Sequence, residues 1–174
     1  AVTIIMYVLM AASSLYTGYS YGAAPMISYY YGEQNHRKLK KLIAVSLKVI
    51  AAVSVLTALA SFVLTRPLVS IFAPAASPVH HLAVTGNRIC TIALLFIGFN
   101  IFASGMFTAL SNGFVSAVLA FSRSFVFMLI AMTTLPILLG VNGIWLATPA
   151  AELMALVLSG SMFFRYRKSY GYSM

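Results

Sequence analysis

An all-α, polytopic transmembrane helix bundle of about five spans is the fold class this sequence predicts, on three observations. Of 174 residues, 61% are apolar and 7% charged, whereas a soluble domain needs about a quarter of its residues charged. The apolar residues form runs long enough to cross a hydrocarbon core of roughly 30 Å at about 1.5 Å per helical residue. The cations sit in short clusters beside those runs, where topology signals belong.

A net charge of +9 would suit a nucleic-acid binder if the cations lay along a polar face. They flank apolar runs instead, so the predicted partner is the anionic surface of a lipid bilayer and not nucleic acid. The single cysteine, Cys90, stands among Ile89, Thr91 and Ile92 and reads as a small packing residue. It leaves no internal disulfide and no multi-cysteine metal site. The chain begins with Ala1, and Ile4 is already inside an apolar run with no basic n-region or cleavage site. The expectation is therefore a fragment with its upstream part missing, not a chain headed by a signal peptide.

The first span, 4–30, carries Gly18 and Gly22 four residues apart, stacked on one face where another backbone can approach. Pro25 lacks the amide hydrogen that would bond the carbonyl of Tyr21, so a bend or break is expected there. That face should look onto protein or water, because lipid satisfies no freed carbonyl. A basic turn, 31–41, leads to the second span, 42–64. The connection 65–88 should hold short helices. Arg66-Pro67 opens one bearing Leu68, Val69, Ile71 and Phe72, Pro74 ends it, and Ser77-Pro78 starts another. The third span is 89–110. Ser111, Asn112 and Gly113 turn the chain into the fourth, 115–139, and residues 140–143 turn it into the fifth, 144–164, ahead of a tail, 165–174.

If the turn after the first span is cytoplasmic, alternation puts Arg37, Lys38, Lys40, Lys41, Lys48, Arg123, Arg165, Arg167 and Lys168 on that side. Only Arg66 and Arg88 fall on the other, a positive-inside bias. The expectation is a multi-pass protein of the plasma or inner membrane, with Ala1 outside and Met174 in the cytoplasm.

Polar groups are expensive in hydrocarbon and usually turn inward. The second span has Ser54, Thr57 and Ser61 on one face, and the third has Asn100, Ser104 and Thr108, with Gly98 and Gly105 seven apart for close packing. The fifth has Trp145, Thr148, Glu152 and Ser159, with Pro149, where a helix break is expected, beside them. Together these stripes read as walls of a shared hydrated cavity; singly, each group is interhelical glue worth about 1 kcal/mol or less. Glu152 is one of two acids and lies about 12 Å along its helix from Ile144, near the middle of the membrane. There it can carry a proton or lock two helices through an arginine. Arg123 is the candidate partner, but by depth it should lie nearer the cytoplasm, so snorkelling to the interface is expected.

Elsewhere the chemistry is thin. His80 and His81 are adjacent and point about 100° apart on a helix, unfit to chelate one metal, and Glu33 belongs to a solvated turn. Tyr29, Tyr30, Tyr31, Tyr166, Tyr170 and Tyr172 read as an interfacial aromatic belt. No nucleophile stands beside a base, and there are no paired carboxylates, no phosphate loop and no metal-spaced set. Neither an enzyme nor a metal or cofactor protein is expected.

Gly18-Tyr-Ser-Tyr-Gly-Ala-Ala-Pro-Met-Ile-Ser-Tyr-Tyr-Tyr-Gly-Glu33 with Asn35 and the basic run from Arg37 to Lys41, then Gly86-Asn-Arg-Ile89, then Leu135-Pro-Ile-Leu-Leu-Gly-Val-Asn-Gly-Ile-Trp-Leu-Ala-Thr-Pro149 with Glu152, resemble the multidrug and toxic compound extrusion (MATE) transporters. The resemblance covers nearly the whole chain and maps it onto the eighth to twelfth helices of a twelve-helix protein, most of the C-terminal lobe. It implies two six-helix lobes around a central cavity, alternating access, and exchange of amphipathic or cationic small molecules for H+ or Na+. The further partner it implies is a missing N-terminal lobe, and no cofactor is implied beyond the coupling ion. In one branch of the family, acids on the first and fourth helices of this lobe bind the coupling cation. Here the first is absent, and the third span, which matches the fourth, has Asn100 and no acid. In another branch the proton-linked aspartate lies on the very first helix of the protein, also absent, so the chain is more similar to this branch, with Glu152 in a supporting role. A lipid or lipid-linked oligosaccharide flippase of the same superfamily would line its cavity with more cations than Arg123. A non-transport membrane scaffold would explain hydropathy and charge, but not the polar stripes with Gly18, Gly22 and Pro25.

Overall fold

The computed structural model of the chain describes residues 2–74 and 76–172; the expected placements of Ala1 and Met174 fall outside them. The elements are α1 (Val2–Gly32), α2 (His36–Val63), α3 (Thr65–Phe72), α4 (Pro78–Cys90), a 3-10 turn (Thr91–Ala93) and α5 (Leu94–Ala109). After them come α6 (Gly113–Phe121), a π turn (Ser122–Val126), α7 (Phe127–Leu139) and α8 (Val141–Tyr166). The described residues contain no strand. Among the described residues, five helical runs are long and apolar enough to cross a membrane: α1, α2, Pro78–Ala109, Gly113–Leu139 and α8.

Local chemistry starts these helices. Asn35 Oδ1 accepts from the Lys38 amide at 3.2 Å, and Asn112 Oδ1 accepts from the Val115 amide at 3.2 Å. Ser77 Oγ accepts from the His80 amide, with Pro78 opening α4. In each case a side-chain oxygen satisfies an amide that the first helical turn leaves unpaired. α4 is not a separate helix of the outer connection. It passes through Thr91–Ala93 into α5, with Thr91 Oγ1 donating to the Asn87 carbonyl at 2.8 Å, so the third long run begins at Pro78.

α5 is the central helix, packed on α1, α2, α6 and α8, and Phe102, Met106 and Phe107 are fully buried along it. Two of its glycines admit α1. A Cβ at Gly98 would stand 2.9 Å from the Tyr16 ring, and one at Gly105 would strike the Ser20 hydroxyl. The packing role expected of Gly18 and Gly22 is not met among the described residues. Nothing lies within 4 Å of a Cβ built at either, because both fall on the exposed face of α1, along with Pro25.

The expected helix breaks at Pro25 and Pro149 are also absent: α1 and α8 run through them. At Pro149 the reason is visible. Proline there frees the carbonyl four residues back, that of Trp145, and the Cys90 thiol donates to it at 3.3 Å. The irregular turns fall instead at Thr91–Ala93 and Ser122–Val126.

The tail folds back rather than lying in an aromatic belt. Tyr172 is buried, its ring 4.9 Å from Phe163 and its hydroxyl donating to the Phe163 carbonyl at 3.2 Å. That burial, and the neighbouring Tyr170, push its pKa up. Tyr170 packs edge-on against Tyr31 at 5.5 Å and accepts from Asn112 Nδ2 at 2.9 Å. This plug gathers the turn after α1, the turn after α5 and the tail at one end of the bundle. The Tyr7–Phe72 stack at 6.0 Å belongs to the other end, where Arg88 lies over the Phe62 ring.

Candidate functional site

The site is built where α5, the π turn and α8 meet. Arg123 sits in the π turn, whose extra residue breaks the i to i−4 pattern and redirects its side chains. Arg123 Nε donates to Glu152 Oε1 at 2.8 Å and Oε2 at 3.0 Å. This overturns the expectation that Arg123 snorkels to the interface. The long arginine side chain covers the difference in depth, and in a low-dielectric interior a charge paired at hydrogen-bond distance is far less costly than a lone one.

Asn100 completes the arrangement. Its Nδ2 donates to Glu152 Oε2 at 2.8 Å and to the Glu152 carbonyl at 2.9 Å, while its Oδ1 accepts from Ser159 Oγ at 3.1 Å. Asn100, Glu152 and Ser159 are buried. Four polar residues on three helical runs thus form one bonded network, and each oxygen of the carboxylate has a donor.

Two hollows flank the ion pair. A polar cleft of about 380 Å³ opens between α1, α5 and α6, with Ser13, Thr17, Ser20, Ser104, Thr108 and Arg123 on its walls. A smaller one of about 140 Å³ has Thr148, Met128, Arg123 and Glu152 on its walls. Ser104 and Thr108 also bond Ser116 on α6, at 3.0 and 2.7 Å between hydroxyls.

The stripe on α2 lies elsewhere, so the expected cavity shared by three striped helices is not formed. Thr57 Oγ1 bonds the Tyr16 hydroxyl at 2.5 Å, and Ser61 bonds Thr91 and Asn87. Ser54 Oγ is buried without a partner among the described residues. Thr57 and Ser61 face the buried seam of α2 with α1 and α4 and act there as interhelical glue. The wall that takes their place is α1. Ser13, Thr17 and Ser20 are spaced four and three apart, a one-face pattern that was legible in the sequence. No group of three or more metal-ligating side chains occurs among the described residues.

The family model described as MatE matches residues 1–133, which include Asn100 and Arg123 but not Glu152. No curated protein and no solved structure matches the chain.

Proposed function

The chain belongs to the MatE family, a family of membrane transporters, and from that premise we propose that it forms most of one lobe of a secondary active exporter. The exporter moves amphipathic compounds, drugs among them, out of the cell in exchange for H+ or Na+ by alternating access, with the rest of the transporter supplied by a second lobe. The turn after α1 and the tail face the cytoplasm.

One observation carries this reading: an Arg123–Glu152 pair between helical runs, its carboxylate buried and its half-buried guanidinium bordering a polar cleft. A carboxylate so placed is tied to helix position, because adding a proton cancels the charge that holds Arg123 and weakens a contact between the π turn and α8. Coupling requires such a link between ion occupancy and packing. Export of small compounds is favoured over a lipid-linked oligosaccharide flippase because Arg123 is the single cation on the cleft wall.

The test is ethidium export by the full-length protein in cells lacking their own exporters, with the H+ and Na+ gradients collapsed separately. Glu152→Gln is expected to lower gradient-driven export severalfold at unchanged expression. Unchanged export would remove Glu152 from coupling, and export insensitive to both gradients would remove the antiport reading.

A further inference from the structure

Among the described residues, the cleft beside the ion pair presents donors and no available negative charge. Arg123 uses only Nε on Glu152, and its two terminal nitrogens form no hydrogen bond with the described residues. Arg123 lines the cleft, whereas Glu152 does not. The guanidinium side chain is 23% exposed against 10% for the carboxylate, so the cationic edge stands in front and the acid behind it. Both oxygens of that acid already accept from Arg123 or Asn100. The hydroxyls of Ser13 and Ser20 open on the same cleft and form no hydrogen bond with the described residues. The other acid, Glu33, lies in the turn after α1. Among the described residues, a cationic solute therefore meets no available carboxylate in this cleft.

A guanidinium edge with unspent N–H groups has the geometry to fork onto two oxygens of one carboxylate or phosphate. Out of bulk water such charge-assisted bonds are stronger than at a wet surface. We propose that this cleft binds the anionic head, carboxylate or phosphate, of an organic solute. The terminal nitrogens of Arg123 hold the head, and Ser13 and Ser20 donate from the side. A volume of about 380 Å³ accommodates a small aromatic or aliphatic acid. The inference rests on the transport reading only for its physiological meaning, since it adds an anionic head group to the amphipathic compounds this lobe admits.

The test uses the full-length transporter in phosphatidylcholine nanodiscs, titrated with 1-naphthoate, 1-naphthyl phosphate and the methyl ester of 1-naphthoate. The acid and the phosphate are expected to bind at least about tenfold more tightly than the ester, the difference two charge-assisted hydrogen bonds make. Arg123→Lys keeps a cation beside Glu152 but removes the fork, and should cost most of that preference. Ser13→Ala with Ser20→Ala leaves the ion pair intact and should weaken the acid severalfold. Equal binding of acid and ester, or wild-type acid affinity in the double serine variant, overturns the site. Repeating the titration with phosphatidylglycerol in the disc separates the two sources of the anion. Displacement of 1-naphthoate supports the site with a lipid headgroup as occupant, and unchanged binding supports it with a free solute. Selective acid binding without export would keep this site and remove the exporter; export without acid selectivity would do the reverse.

Discussion

Arg123 Nε and the Glu152 carboxylate meet at 2.8 and 3.0 Å, joining the π turn to α8 inside a chain with two acids in all. The pair is strongly placed but not thereby strongly stabilising. Removing one charge strands the other, whereas removing both leaves an apolar gap.

Arg123→Met or Glu152→Leu alone should therefore destabilise the bundle by about 3–5 kcal/mol, and the double variant by much less. Thermal unfolding in detergent, read as a double-mutant cycle, checks this. Additive losses would mean the two side chains do not interact energetically.

The Cys90 thiol and the Trp145 carbonyl give a second cycle. Cys90→Val should cost about 1 kcal/mol by leaving that carbonyl unpaired. In a Pro149→Ala background the restored backbone amide can take over, so the same change should cost close to nothing. An equal penalty in both backgrounds would show that the thiol contact does not compensate for the proline.

The glycines divide sharply. Gly98→Ala pushes a methyl into the Tyr16 ring, whose hydroxyl is held by Thr57 and the Leu94 carbonyl, and should destabilise by about 1–3 kcal/mol. Gly18→Ala enters open space and should be neutral or stabilising by up to about 1 kcal/mol in this chain, since alanine is the better helix former. Melting temperatures of the two variants are the measurement. A loss at Gly18 matching that at Gly98 would place a neighbour against that face.

Single cysteines placed at Glu33 and Lys168 should react with a membrane-impermeant maleimide from the same side, and one at Arg66 from the opposite side. Right-side-out and inverted vesicles read this directly. Opposite labelling of Glu33 and Lys168 would break the five-span topology.

The sequence by itself determined the class, the number of long runs, most helix starts and the family. Those follow from hydropathy, charge clustering and short-range chemistry, such as Ser77-Pro78 opening α4; the second helix, expected from 42 after a basic turn, instead starts at His36 behind the Asn35 cap. The sequence also marked Asn100, Arg123 and Glu152 as polar groups that are costly inside a membrane. What it did not contain was who faces whom. Thr57 and Ser104 sit in stripes of equal quality, yet one closes a buried seam against Tyr16 and the other lines a cleft, because rotation about a helix axis is fixed by the neighbouring helices. Gly18 and Gly98 are likewise indistinguishable until α1 is set against α5. The Arg123–Glu152 pair was misjudged from depth alone, since depth along a helix does not include the reach of an arginine or the redirected side chains of a π turn. Only packing decided these, because side-chain partnership is a property of the assembled bundle and not of any one span.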